Sequence, residues 1–240
     1  MTFDMESLRW KAKEIGVNLS DLQFNKFFTY YIMLMEKNKV MNLTAITELE
    51  EVIDKHFMDS IMLKKVVDLD KIQTVADMGT GAGFPGIPLK IVFPHLQITL
   101  MDSLNKRLQF LDEVITELGL IGIETLHGRA EDIGKDLLYR ENYDLCVSRA
   151  VANLSTLSEY CLPVVKKGGQ FVSYKSGDVA EELETSKKAI SILGGEVSGV
   201  EYFKLPQTDN ERSFVVIDKV KETPKKYPRK AGTPGKEPIK

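Results

Sequence analysis

The sequence predicts an α/β protein with a doubly wound, mostly parallel sheet of seven strands, preceded by a helical extension. Three observations support this prediction. From residue 72 onward, short apolar segments of β character alternate with amphipathic helical segments, as they do in parallel sheets. The last two β segments have no helix between them, which indicates a hairpin with an antiparallel edge strand. Before residue 72, only helical spacing occurs.

The N-terminal region is predicted to consist of two helical segments. Ser20 and Asp21 can cap a helix that ends near residue 37, and a second helical region covers residues 48–67. Residues 38–47 between them have the composition of a loop. The aromatic residues of the first segment have the spacing of a core-facing stripe, so we interpret them as packing and not as a base-stacking platform: Phe24, Phe27, Phe28 and Tyr31.

The sheet follows in regular order. The predicted parallel strands cover residues 72–77, 97–102, 121–126, 143–148 and 170–175, and the hairpin strands cover residues 197–205 and 213–220. Helices are predicted at residues 86–93, 104–118 and 179–193 and directly after the fourth strand. The predicted division is a helical region (1–68), a sheet domain (69–221) and a flexible basic tail (222–240).

Composition and charge exclude several classes of protein. A chain of 240 residues with 43% hydrophobic and 28% charged residues is neither disordered nor fibrous. No apolar run reaches the roughly 18 residues of a membrane span, and residues 1–14 are too polar for a signal peptide. Cys146 and Cys161 lack the spacing of a metal site and are interpreted as reduced core thiols. We expect no metal ion, no membrane association and a cytoplasmic location.

The net charge of −3 is unevenly distributed. Residues 219–240 carry eight Lys or Arg and two Glu, so the other 218 residues have a net charge of −9. Because Pro, Lys and Gly dominate the tail, we predict no packing pattern there. The tail is interpreted as an electrostatic arm for nucleic acid, with a merely solubilising extension as the alternative.

A glycine-rich segment between the first strand and the next helix carries the main functional information. Its G-x-G-x-x-G pattern runs from Gly81 to Gly86, and Asp102 ends the following strand. Glycines there let a ligand approach the backbone closely beyond the carboxyl ends of the strands. Asp102 is placed to accept hydrogen bonds from both hydroxyls of a ribose. The combination predicts a site for a nucleoside-containing cofactor.

Two cofactors compete for this site. A dinucleotide needs its pyrophosphate on the helix N-terminus, where Phe84 is bulky. S-adenosylmethionine needs a carboxylate for its ammonium group, and Asp77 precedes Gly79 by two residues in a D-x-G-x-G-x-G arrangement. Glu131, after the third strand, can lie near the adenine edge, although capping of a short helix is an equal alternative. Asp77 and the terminal hairpin favour methyl transfer over hydride transfer.

These motifs resemble the bacterial small-subunit ribosomal RNA guanine-N7 methyltransferase family, RsmG, formerly called glucose-inhibited division protein B. The resemblance covers about residues 40–215 and is carried by residues 42–44, 56–60, 77–86, 102–103, 106–107, 128–131 and 148–150. It implies the class I methyltransferase fold and S-adenosylmethionine-dependent methylation of N7 of one guanine in the decoding-region loop of 16S rRNA. With the loop residues added, the predicted cofactor-binding set is Asp77, Gly79, Gly81, Phe84, Asp102, Ala130, Glu131 and Arg149.

The implied chemistry needs no general base, because guanine N7 has a free lone pair. Catalysis is then mainly positioning, with the reacting atoms about 3 to 3.5 Å apart. Arg149 is the predicted catalytic residue in this positioning sense, and a structural ion pair is its alternative. His56 is interpreted as structural, and Asn42 as a base contact or a cap of the next helix. The predicted RNA-binding residues are Arg129, Lys175, Arg212, Lys225, Lys226, Arg229 and Lys230.

Three other functions stay open at this point. The same fold can methylate another RNA or another substrate. An NAD-dependent oxidoreductase would share the glycine pattern, and a non-catalytic RNA-binding assembly factor would have a broken loop or no Asp102. The expected partner is 16S rRNA or the small ribosomal subunit, bound by a monomer.

Overall fold

The computed structural model describes residues 5–149 and 152–240 and contains a seven-stranded sheet. The strands are β1 (Thr74–Met78), β2 (Gln97–Asp102), β3 (Ile123–His127), β4 (Tyr143–Ser148), β5 (Val165–Lys175), β6 (Gly195–Lys204) and β7 (Glu211–Lys219). Their order is β3-β2-β1-β4-β5-β7-β6. Strands β1 to β5 are parallel, and β7 pairs antiparallel with both β5 and β6. The predicted fold class, including the antiparallel hairpin at the edge, is confirmed.

Helices cover both faces of the sheet. Alternate strand residues belong to two hydrophobic clusters, with Val75 and Val147 in one and Ala76 and Cys146 in the other. This alternation follows from the two-residue period of a strand. The helices are α1 (Glu6–Glu14), α2 (Asp21–Met41), α3 (Leu49–Val52), α4 (Asp59–Ile61), α5 (Gly86–Val92), α6 (Asn105–Glu117), α7 (Ala130–Ile133), α8 (Leu154–Cys161), α9 (Ala180–Ile192) and α10 (Thr233–Lys236). No helix of the described residues has the length and apolar character that a membrane span needs.

The N-terminal helices follow the prediction closely. Ser20 forms a capping box, since its Oγ accepts from the Gln23 N–H at 3.3 Å and Gln23 Oε1 accepts from the Ser20 N–H at 3.0 Å. The predicted loop start at residue 38 is wrong, because α2 continues to Met41. Asn42 ends the helix in the left-handed conformation with φ 49°, which asparagine tolerates well. Asn42 therefore caps the C-terminus of α2. The interpretation of Asn42 as a cap of the next helix is wrong.

The second helical region is not a uniform α-helix. A π-helical segment, Ile53–Met58, joins α3 to α4, and a 3₁₀ turn, Met62–Lys65, follows. The π-helical segment buries His56 and Phe57. The aromatic stripe of α2 packs against the same region, with the Phe27 and Phe57 ring centroids 4.9 Å apart. The interpretation of this stripe as core packing is confirmed.

The C-terminal segment, residues 223–240, is packed against the sheet domain. Arg229 donates to both carboxylate oxygens of Glu159, at 3.0 Å to Oε1 and 2.6 Å to Oε2. Thr223 is buried, and the Ser155 hydroxyl donates to the Ile239 carbonyl oxygen at 2.7 Å. The prediction of a tail without packing is wrong. Its docking depends on polar partners far away in the sequence, which local composition does not reveal.

Candidate active site

A buried carboxylate organises the glycine loop after β1. Asp77 is fully buried, and its Oδ2 accepts from the Thr80 hydroxyl at 2.7 Å and from the Gly86 N–H at 2.8 Å. Its Oδ1 has no hydrogen-bond partner within the described residues. Burial, only partly offset by these hydrogen bonds, raises the pKa of Asp77 to about 6. A Cβ on Gly86 would collide with Leu100 and lie 2.8 Å from Asp77 Oδ2, so only glycine fits there.

Helix α2 also contacts the glycine loop. The Tyr30 hydroxyl donates to the Ala82 carbonyl oxygen. Gly83 has φ +99°, and a Cβ there would lie 2.6 Å from Tyr30 Oη and 2.7 Å from Ile87 Cδ1. The glycine loop therefore depends on the N-terminal region for its shape as well as on the sheet.

A first cavity of about 450 Å³ lies beyond the carboxyl ends of β1, β2 and β4. This volume is typical of a small-molecule site. Met78, Met101 and Leu157 give it apolar walls, and two carboxylates, Asp102 and Glu131, supply hydrogen-bond acceptors. Its other lining residues include Gly79, Ser103, Arg107, Gly128, Arg129, Ala130, Ser148, Ala152, Tyr160 and Gly232.

Both carboxylates of the first cavity are held in place by backbone donors. Asp102 Oδ2 accepts from the Gly81 N–H at 3.0 Å, and its Oδ1 accepts from the Leu104 N–H at 2.9 Å. Glu131 Oε1 accepts from the Gly232 N–H at 2.7 Å. Carboxylate acceptors between apolar walls suit the hydroxyl and amino groups of a nucleoside, which donate hydrogen bonds. The residues of the first cavity therefore fit S-adenosylmethionine.

A second cavity of about 590 Å³ adjoins the first, and Ala152 lines both. Asp59 organises its arginines, since its Oδ2 accepts from Arg149 Nη1 at 3.0 Å and its Oδ1 from Arg212 Nε at 3.0 Å. Lys175, which also lines the cavity, donates to Glu182 Oε1 at 2.7 Å. The second cavity therefore presents cationic donors whose positions are fixed by carboxylates.

His56 forms the wall between the glycine loop and the second cavity. Its ring stacks on Phe84 with a centroid distance of 4.5 Å, and the Arg149 guanidinium lies 5.0 Å from the centre of the same Phe84 ring. Burial and the nearby Arg149 lower the pKa of His56 to about 3. His56 Nδ1 lies 3.1 Å from both Arg149 Nη2 and the Lys55 carbonyl oxygen, and its Nε2 lies 2.8 Å from Thr44 Oγ1. Its interpretation as structural agrees with these contacts.

The predicted site residues divide into four groups. Those that line the first cavity are Gly79, Asp102, Arg129, Ala130 and Glu131. Those that line the second are Arg149, Lys175 and Arg212, so the side chain of Arg149 faces the second cavity. Asp77, Gly81 and Phe84 line neither cavity and shape the loop between them. The four tail residues lie outside both, with Lys225, Lys226 and Lys230 on the docked segment and Arg229 paired with Glu159.

Sequence reasoning missed several residues of the two cavities. Asp59 follows His56 by three positions, so helical spacing could have placed both on one face. Tyr160 and Gly232 line the first cavity, yet no local pattern distinguishes either of them. Gly232 lies in the segment that was predicted to be flexible.

The sheet order and the position of the first cavity define a fold, that of the class I S-adenosylmethionine-dependent methyltransferases. Solved structures agree in fold. An S-adenosylmethionine-dependent methyltransferase, SibL in its apo form, matches with TM-score 0.51 and 16% identity, over 68% of this chain and 55% of that chain. The [4+2]-cyclase SpnF matches with TM-score 0.53 and 15% identity, over 68% of this chain and 80% of that chain.

Sequence similarity is more specific than the fold. Residues 23–214 match the family described as rRNA small subunit methyltransferase G, or GidB, and the chain belongs to this family. A ribosomal RNA small subunit methyltransferase G from Lachnoclostridium phytofermentans is 54% identical over 95% of this chain and 94% of its own length. One from Staphylococcus aureus is 52% identical over 98% of both chains. The predicted resemblance is confirmed, and neither the oxidoreductase nor the non-catalytic alternative is favoured.

Proposed function

We propose that this protein transfers the methyl group of S-adenosylmethionine to N7 of one guanine in the decoding-region loop of 16S rRNA. The observation that carries the proposal is the junction of the two cavities. Ser148 ends β4 in the first cavity, and Arg149 follows it in the second. Ala152 lines both cavities, so a cofactor in the first would lie next to a base in the second.

The first cavity would hold the cofactor, which supplies an electrophilic methyl group. Asp102 would accept from the ribose hydroxyls, and residues 130 and 131 would bound the adenine. Gly79 lets the backbone of the loop approach the ligand closely, while Asp77, Gly81 and Phe84 keep the loop in shape.

The second cavity would hold the guanine. Arg212 Nη2 has no hydrogen-bond partner within the described residues, whereas Arg149 donates to Asp59 and to the Lys55 carbonyl oxygen and contacts His56 Nδ1. Arg212 is therefore the better donor to guanine O6, and Arg149 acts by positioning. With pKa about 3, His56 is neutral at pH 7. No base is required, because the attacking lone pair of N7 carries no proton.

Basic residues around the cavities would contact the RNA backbone. Arg129 is exposed at the rim of the first cavity, and Lys175 lies in the second. Lys225, Lys226 and Lys230 are exposed on the docked tail, and they would add affinity without reading sequence. In this proposal the protein acts as a cytoplasmic monomer on 16S rRNA or the small subunit.

The test begins with 16S rRNA from cells that lack the protein. Nucleoside mass spectrometry should find 7-methylguanosine missing at one position, restored by the wild-type protein and not by Asp102→Ala. The purified protein should then methylate an RNA carrying that guanine and leave untouched the same RNA with 7-deazaguanine there. An unchanged 7-methylguanosine content, or methylation of the 7-deaza RNA, would overturn the proposal.

A further inference from the structure

The first cavity has one wall that comes from outside the sheet domain. Gly232 lines it, and its N–H donates to Glu131 Oε1 at 2.7 Å. Glu131 is 4% exposed and makes no other hydrogen bond to the described residues. The C-terminal segment thus orients one of the two carboxylates that we assign to the nucleoside.

The same segment is fastened beside the cavity by a buried ion pair. Glu159 is fully buried on α8, and it accepts from the Arg229 guanidinium and also from the Arg229 N–H at 2.7 Å. The neighbouring residues of α8 face the first cavity, since Leu157 and Tyr160 line it. The Thr156 hydroxyl donates to the Pro234 carbonyl oxygen at 3.0 Å. Helix α8 therefore carries both a wall of the cavity and the anchor of the segment.

A second anchor fixes the beginning of the segment. Arg140 donates from Nη2 to the Thr223 carbonyl oxygen at 2.6 Å and from Nη1 to the Tyr227 carbonyl oxygen at 2.9 Å. Buried Lys219 donates to Thr223 Oγ1 at 2.7 Å. Between these contacts and the Arg229–Glu159 pair, the chain has little freedom to leave the cavity.

The docked segment does not fill the cavity. About 450 Å³ remains with Gly232 in place, which is enough for a small molecule. The segment is therefore a wall and not a plug.

We propose that residues 223–240 form a C-terminal strap that holds the cofactor in the first cavity, with Gly232 orienting Glu131 and the Arg229–Glu159 pair fastening the strap. This inference rests on the proposed function, because it takes the first cavity as the cofactor site. Cofactor binding and strap docking are then coupled, and the coupling is reciprocal. The cofactor stabilises the docked strap as much as the docked strap stabilises the bound cofactor.

The experiment measures the Kd of S-adenosylmethionine and of S-adenosylhomocysteine by calorimetry on the full chain. The double variant Glu159→Gln/Arg229→Leu removes both charges, so neither is left buried and unpaired. Its Kd should rise at least about fivefold. Lys236→Ala is the matched control: it removes a positive charge from the same segment, but its side chain is exposed and makes no ion pair with the described residues. Its Kd should stay within about twofold of wild type.

Asp102→Ala separates the two ways in which the result can fail. If Asp102→Ala weakens binding and the double variant does not, the first cavity holds the cofactor and the strap inference is wrong. If Asp102→Ala also leaves the Kd unchanged, the cofactor assignment itself fails, and the inference with it.

Hydrogen exchange on the wild-type protein gives a measurement that needs no variant. S-adenosylhomocysteine should slow exchange of the amides of residues 230–233 at least about fivefold. Exchange that is equal with and without the ligand would overturn the strap, even if the double variant failed to fold.

Discussion

The two cavities that meet at Ala152 are built in different ways. The first is formed at the ends of the parallel strands, and backbone N–H groups hold its carboxylates. The second is formed where the N-terminal helices meet the terminal hairpin, and Asp59 from one region binds Arg212 from the other. Strand ends with backbone donors suit a cofactor of constant shape. A surface assembled from separate regions can be shaped to a particular substrate without altering the cofactor site.

Two buried carboxylates, Asp59 in the second cavity and Asp77 in the glycine loop, differ in the same way. Asp59 is paired with two guanidinium groups at 3.0 Å. Among the described residues, Asp77 accepts hydrogen bonds only from the Thr80 hydroxyl and the Gly86 N–H, and its pKa is raised to about 6. The ion pairs of Asp59 position charged donors toward the second cavity, whereas Asp77 maintains the shape of a loop.

Disturbing the glycine loop should damage both cavities at once and produces the largest expected effect. Gly83→Ala introduces a side chain at φ +99°, with Tyr30 Oη 2.6 Å from the new Cβ. We expect the free energy of unfolding to fall by about 3 kcal/mol, from strain and overpacking together. Guanidinium denaturation measures it. Gly199→Ala is the control, because its Cβ would meet nothing within 4 Å; equal effects at the two positions would contradict the prediction.

Asp77, in the glycine loop between the two cavities, makes the free energy of unfolding depend on pH. With a folded pKa of about 6 against about 3.9 unfolded, native Asp77 keeps a proton that the unfolded chain loses. Its stabilisation is present below pH 4 and is lost as pH rises through 6, by about 3 kcal/mol. Asp77→Asn keeps an oxygen acceptor and removes the charge. The free energy of unfolding of the variant should therefore rise relative to that of the wild type as the pH increases from 4 to above 6.

The quantity to measure is the difference in unfolding free energy between the wild type and Asp77→Asn. His56, whose pKa is about 3, makes the stability of both proteins change with pH in the opposite direction, and the difference cancels its contribution. Urea titrations at about pH 4, 5, 6 and 7 would provide it. A stability difference that does not change with pH would show that Asp77 is ionised throughout.

Arg212→Ala should affect the second cavity alone. We expect methyl transfer at saturating cofactor to fall about 100-fold, the cost of a misplaced reactant. The Kd for the cofactor should change less than about threefold, because Arg212 does not line the first cavity. Single-turnover transfer and calorimetry measure the two quantities, and Arg212→Lys tests whether charge alone suffices. A large change in the cofactor Kd would erase the distinction between the cavities.

The smallest expected effect is on RNA affinity from outside both cavities. Replacing Lys225, Lys226 and Lys230 by Ala should reduce the slope of log K against log salt concentration by about 2, as for three lost phosphate contacts on single-stranded RNA. The control triple removes Lys71, Lys166 and Lys167, which lie near the amino ends of β1 and β5. Equal slopes for the two triples in filter-binding titrations would exclude a specific role of the tail.

The sequence by itself determined the sheet, the hairpin and the first cavity's motif. Strand period, helix spacing and the glycine pattern are local properties, and the residues that create them are close together in the chain. Asp102 and Gly79 both line the first cavity for that reason. The Ser20 cap likewise depended on four consecutive residues.

Only the tertiary structure decided how distant segments share the site. Asp59 and Arg212 are 153 positions apart, and Glu131 and Gly232 are 101 apart. Neither pair produces any periodicity, so no window of sequence contains it. The docked C-terminal segment is the clearest case, because its composition is that of a free arm while its partners, Glu159 and Arg140, lie on other parts of the chain. Hydrogen bonds and ion pairs between remote residues are specified by geometry, which exists only once the chain has folded.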